Sequence, residues 1–134
     1  MPKIQWSESF SVGVSLLDEH HQHLAKLINQ LSEETAASAD QESLVDVISG
    51  LVAYAKYHFE HEEALMEKHG FPRFHKHCME HNQFYEVIAE TSYGTSLGII
   101  DVEHLVDYLV RWWKNHILHE DMQYKPFFLA KGVS

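Results

Sequence analysis

Twelve histidines stand in a chain of 134 residues that has only ten lysines and arginines together. Five of the twelve, His21, His58, His77, His81 and His116, fall with Glu62 where helical periodicity points inward, at places where a plain helical core would carry leucine. Burying one unpartnered polar group costs about 1–3 kcal/mol. Six such groups without partners would consume a domain's net stability of about 5–15 kcal/mol. They must therefore satisfy one another or hold something. His58/Glu62 and His77/His81 are each four residues apart, which stacks the two side chains one helical turn above another and lets them converge on one ion. Imidazole suits zinc, copper, iron and nickel, whereas carboxylate favours harder metals such as iron or manganese. A single zinc site takes four ligands. The surplus here points to two metals, held by more imidazole than the carboxylate-bridged di-iron bundles use. Those bundles carry Glu-x-x-His twice, and no glutamate here has a histidine three residues later.

The elements that must position these groups read as helices. Residues 1–15 lack helical periodicity and predict an ordered, non-helical N-terminal arm. Ser15 followed by Asp18 has the form of a capping box, after which Leu17, His21, Leu24, Ile28 and Leu31 share one face. The polar patch Glu33 to Ala39 closes that helix, and Asp40 is placed to cap the next. In the second helix Leu44, Val47, Leu51, Tyr54, His58, Glu62 and Leu65 follow a 3–4 pattern. His69-Gly70-Phe71-Pro72 then supplies a stop. A third helix is expected from about Pro72 to Ser92, with Phe74, His77, His81, Phe84 and Ile88 on one face. Tyr93 to Ile100 reads as a loop. A fourth helix is expected from about Asp101 to Glu120 with Leu105, Leu109, Trp112 and His116 inward, and Pro126 limits any short helix beyond. No stretch alternates as a strand does. Four helices of similar length with short connections predict an all-α fold, an antiparallel up-down-up-down four-helix bundle, in a single domain spanning 1–134.

Composition narrows the partners. Twenty acidic residues give a net charge of −10, which a nucleic-acid duplex or an anionic membrane surface would repel. Cys78 is the lone cysteine, so no internal disulfide and no cysteine-based zinc or iron–sulfur site is available. No apolar run is long enough to span a membrane, and the opening Met1-Pro2-Lys3-Ile4-Gln5-Trp6 lacks the apolar core of a signal peptide. A cytoplasmic setting is expected. His20, His23, His61, His69, His75, His104 and His119 are expected to face solvent, although His20 also fits the spacing of the first helix. His119 likewise lies better than Asp121 on an ideal helix with His116, because five residues are about 140° apart on such a helix.

Trp6 with Val12-Gly13-Val14, then Asp18-Glu19-His20-His21, resembles the opening of the bacterial hemerythrins. His58-Phe59-Glu60-His61-Glu62-Glu63 is similar to their second-helix motif, and His77-Cys78-Met79-Glu80-His81 to their third. His116-Ile117-Leu118-His119-Glu120-Asp121 followed by Tyr124-Lys125-Pro126-Phe127 resembles the fourth. The resemblance covers nearly the whole chain with its motifs in order. It implies a non-haem di-iron centre, two iron ions (Fe2+/Fe3+) with a bridging oxo or hydroxo group, that binds O2 reversibly for carriage, storage or delivery. Carried onto matching positions, His77, His81 and His116 would hold one iron and His21 and His58 the other, with Glu62 and Asp121 bridging. That set fills all but one position of two octahedral ions, on the side with two histidines. Two ferrous ions, two carboxylates and a hydroxide leave a single positive charge, tolerable in a buried site. Trp112, Trp113 and Ile117, beside His116, would wall the O2 pocket. Trp113 departs from the leucine common at that position. The resemblance calls for no general base or nucleophile, so no enzyme is expected. Two other roles compete: an O2 or redox sensor acting through a partner protein, and a di-iron enzyme handling peroxide or nitric oxide. Because histidine must be neutral to bind iron, iron should be lost below about pH 6.

Overall fold

The computed structural model describes residues 3–37, 40–96 and 102–134. Helix α1 runs Ser15–Ala36, α2 Gln41–His69, α3 Phe74–Ser96 and α4 Val102–Asn115. The last continues through a π-helical segment, His116–Asp121, into α5, Met122–Ala130. Each helix packs on its sequence neighbours, and α4 closes the ring against α1. The result is an all-α, up-down-up-down four-helix bundle with an N-terminal segment lying before α1. No helix among the described residues is long and apolar enough to cross a membrane.

The arm is held by specific bonds and contains one short 3-10 turn, Glu8–Phe10. Ile4 and Asn29 exchange two hydrogen bonds, Ile4 N–H to Asn29 Oδ1 at 2.9 Å and Asn29 Nδ2–H to the Ile4 carbonyl at 2.8 Å. The expected capping box at Ser15 does not form: Val14 is the N-cap and makes no side-chain cap bond. The Asp18 carboxylate turns back to the arm instead, accepting from Val12 N–H at 2.8 Å and from the Ser11 hydroxyl at 2.6 Å. This satisfies arm donors that would otherwise be stranded beside the buried side chains of Val12 and Val14.

The inward stripe of α1 is as expected, with Leu17, His21, Leu24, Ile28 and Leu31 all buried. Asp40 caps α2 by accepting from Ser43 N–H at 2.8 Å. Gly70 ends that helix at φ 71°, with Phe71 N–H bonded to the Met66 carbonyl at 2.9 Å, the left-handed C-terminal closure that glycine permits. The buried line of α2 is Ile48, Leu51, Ala55, His58, Phe59, Glu62 and Met66, whereas Leu44, Val47, Tyr54 and Leu65 lie half-buried at its edge. Its inward face is thus turned slightly from the one that periodicity alone selects.

Helix α3 begins at Phe74 and reaches Ser96, four residues past its expected end. The first half of the expected loop, Tyr93 to Ser96, is therefore helical, while residues 97–100 and Asp101 lie outside the described residues. Pro126 does not cut the chain short, since α5 runs through it to Ala130 and buries Tyr124 and Phe128. Those two rings, with Trp113, Phe59 and Phe84, are the largest side chains of the core.

Candidate metal centre

Seven polar side chains meet in the middle of the bundle: His21 from α1, His58 and Glu62 from α2, His77 and His81 from α3, and His116 and Asp121 from the π segment. All are buried, with none more than 4 % exposed. Asp121 is the member that regular helix geometry does not deliver. Between His116 and Asp121 the chain makes the wider i→i+5 turn, as in the bond from Met122 N–H to the Ile117 carbonyl. The extra residue brings Asp121 back onto the face that His116 occupies. His119, which an ideal helix would favour, is exposed.

The donor atoms sort into two groups. Glu62, His77, His81, His116 and Asp121 offer ligand atoms mutually within 4.8 Å, and so do His21, His58 and Glu62. Both carboxylates divide their oxygens between the groups. Glu62 Oε1 lies 2.8 Å from His77 Nε2 and 3.1 Å from His81 Nε2, while Oε2 lies 3.2 Å from His58 Nε2 and 3.5 Å from His21 Nε2. Asp121 Oδ1 lies 2.8 Å from His77 Nε2 and 3.0 Å from His116 Nε2, while Oδ2 lies 3.1 Å from His21 Nε2. His81 and His116 point their Nε2 atoms at one another across 3.2 Å.

This arrangement fits a pair of metal ions. Both Asp121 oxygens and His21 Nε2 are buried with no hydrogen-bond partner, a cost that a cation among them would remove. Two outer ring nitrogens have the partners that metal-ligating histidines use, whereas those of His21 and His116 have none within hydrogen-bond distance. His81 Nδ1 faces Glu63 Oε2 at 2.8 Å and His58 Nδ1 faces His20 Nδ1 at 3.0 Å, whereas His116 Nδ1 lies 3.9 Å from Glu80 Oε1. Mixed imidazole and carboxylate donors match iron.

Electrostatics agree. Burial raises the cost of charge on Glu62, but His58, His21 and His77 hold its carboxyl well below the usual range. Asp121 is likewise held well below, by His116 and His21, against its own burial and the charge of Glu62. Burial also works against charge on His21, His77 and His116, yet the two carboxylates, with Glu80 beside His116, lift them to about 9, about 11 and about 9. The carboxylates are anions awaiting cations.

A protein-family model described as the hemerythrin HHE cation binding domain matches residues 12–128. The chain belongs to the hemerythrin family. It is 30% identical over 133 residues to a bacteriohemerythrin of Ralstonia nicotianae, covering 98% of this chain and 93% of that protein. A bacteriohemerythrin of Methylococcus capsulatus is 29% identical over 132 residues, covering 97% and 100%. A solved wild-type hemerythrin superposes with a TM-score of 0.85 at 27% identity, covering 92% of this chain and 95% of that one. A variant with leucine replaced by tyrosine superposes at 0.88 and 26% identity, covering 94% and 97%. The buried cluster is consistent with a hemerythrin-type di-iron site. No catalytic motif beyond the cluster is evident among the described residues.

Around the cluster, the two tryptophans take opposite sides. Trp113 is buried, packs against Trp6 and Phe10 of the arm, and donates its indole N–H to the His21 carbonyl at 3.0 Å. Trp112 is half-buried and lies flat on His116, with ring centroids 4.4 Å apart and planes at 10°. Ile117 is buried. Sequence reasoning missed the outer partners. His20, expected at the surface, is buried against His58, with Tyr54, Tyr57 and His61 around it. The aromatic and histidine side chains clustered at 54–61 were the available signal, since they need something on α1 to pack against. Tyr124, whose hydroxyl donates to Glu62 Oε2 at 2.7 Å, follows from no spacing rule because the π segment resets the register before it.

Proposed function

We propose that this chain binds O2 reversibly at a non-haem di-iron centre, for carriage, storage or delivery. His77, His81 and His116 would hold one iron and His21 and His58 the other, with Glu62 and Asp121 shared between them. The observation that carries this reading is the division of each carboxylate's two oxygens between the two histidine groups. Two ferrous ions with a bridging oxo or hydroxo group would supply electrons to O2 on binding and recover them on release.

The chain's own residues have three tasks. The five imidazoles must stay neutral at Nε2, which His20 and Glu63 favour at His58 and His81 by facing Nδ1. The carboxylates must balance the ions' charge, and burial of the whole cluster must exclude water and stray protons. Trp113 lies on the side of His21 and Trp112 covers His116; with Ile117, buried beside His116 in the chain, they would wall the O2 pocket. The chain acts as one domain over 1–134. Its lone Cys78 thiol suits a reducing compartment, which supports a cytoplasmic setting.

The test is a visible spectrum of iron-loaded protein, reduced without air, exposed to O2 and returned to vacuum. Colour that appears with O2 and fades under vacuum is expected. Colour that persists, with the iron left ferric, would overturn reversible carriage in favour of redox sensing through a partner protein, or of a peroxide- or nitric-oxide-handling enzyme.

A further inference from the structure

The two oxygens of Glu62 are not equivalent. Oε1 faces His77 and His81. Oε2 faces His58 and His21, and also accepts the Tyr124 hydroxyl at 2.7 Å. Tyr124 is fully buried, and its ring is fixed between His77 at 5.8 Å and 30° and Phe128 at 4.9 Å. Nothing in the expected ligand set requires a phenol there.

We propose that Tyr124 is a positioning residue that makes the two halves of the centre unequal, drawing electron density from the Glu62 oxygen on the His21/His58 side and biasing the iron held there toward the ferrous state. The inference rests on the di-iron reading. A hydrogen bond donated to a metal-bound carboxylate oxygen makes that oxygen a poorer donor. A poorer anionic donor stabilises Fe3+ less than Fe2+, so the ion on that side keeps its electron more readily. The same bond fixes the carboxylate's orientation and prevents it from swinging onto one ion.

The experiment compares the iron-loaded wild-type chain with Tyr124→Phe, using iron content and far-UV circular dichroism as controls. Tyr124→Phe should retain two irons, show a lower reduction potential and autoxidise about three- to tenfold faster, the scale of losing one charge-assisted hydrogen bond only partly expressed in the redox step. The difference between the two ferrous Mössbauer doublets should also shrink. Two irons with unchanged potential and rate would overturn the proposal. If the phenylalanine variant loses iron or unfolds, Tyr124→3-fluorotyrosine decides the matter, since it keeps the shape and donates more strongly. It should shift potential and rate the opposite way, and no shift overturns the proposal. A wild-type chain that takes up no iron overturns the di-iron reading and this proposal with it.

Discussion

His20 of α1 and His58 of α2 meet nitrogen to nitrogen, Nδ1 to Nδ1 at 3.0 Å, with their rings at 89° and both side chains buried. One of the two must donate and the other accept. When His58 Nε2 holds a metal ion beside Glu62, its Nδ1 must carry the hydrogen, and His20 is then the acceptor. His20 can accept only while neutral. Burial, then the neighbouring His58 and His61, lowers its pKa to about 4, so neutral it stays.

Replacing His20 by leucine should therefore strand the His58 N–H in the core and cost about 1–3 kcal/mol, whereas glutamine, which can still accept, should cost less than about 1 kcal/mol. Denaturant unfolding of the iron-loaded chain measures both. Equal stability of the leucine variant and the wild type would mean that the pair does not support the site.

Without metal, protons on the imidazoles take the cations' place between the carboxylates, and this sets a pH profile. His21 and His116 at about 9 and His77 at about 11 lie above their ordinary 6.5. They contribute stability that is complete below 6.5 and is lost as pH rises through 9 and beyond. Burial holds His20 and His58 below 6.5, so these two withdraw stability as pH falls from that value. Glu62 and Asp121, both held low, withdraw more at acid pH. Thermal melts of the metal-free chain should show a maximum Tm near pH 6.5 and a decline toward pH 9. Iron-loaded protein, with cations in place of those protons, should lack the alkaline decline. A metal-free Tm that stays level from pH 6.5 to 9 would contradict this account.

Asp121 and His119 separate cleanly by substitution. Asp121→Asn removes a carboxylate shared by both histidine groups and should reduce bound iron below two per chain by elemental analysis. His119→Ala, at an exposed position, should leave iron content intact and stability within about 0.5 kcal/mol of wild type. Loss of iron from the alanine variant would reverse the assignment.

Trp113→Leu should destabilise the chain by about 2–4 kcal/mol in denaturant titrations, from the cavity left beside Phe10 and Trp6 and the lost bond to the His21 carbonyl. It should also speed autoxidation by admitting water on the His21 side. Unchanged autoxidation in a folded, iron-replete variant would remove Trp113 from the pocket wall.

Most of the bundle was legible because its stripes obey one period. Leu17, Leu24, Ile28 and Leu31 on α1, and Phe84 and Ile88 on α3, are buried where spacing puts them. The three histidines at 58, 77 and 81 came with them, since each lies a turn away from an apolar neighbour. His20 was not legible, because two adjacent residues point about 100° apart and only the packing of α2 shows that both directions are interior. Asp121 came from resemblance and not from periodicity, which pointed to His119. No spacing rule for a regular helix anticipates an i→i+5 turn.

That turn works as a phase shift in an otherwise continuous rod. Upstream of it the rod aims Leu105, Leu109 and Trp113 inward, and downstream it aims Tyr124 and Phe128 inward. The widened turn absorbs one residue, so each residue beyond it takes the place its predecessor would hold in an ordinary helix. Deleting the exposed Leu118 or His119 would close the turn, leave Tyr124 and Phe128 facing inward, and set the Asp121 carboxylate four residues after His116, about 40° round on a regular helix. The two ligands thus keep one face across a spacing that a regular helix would forbid.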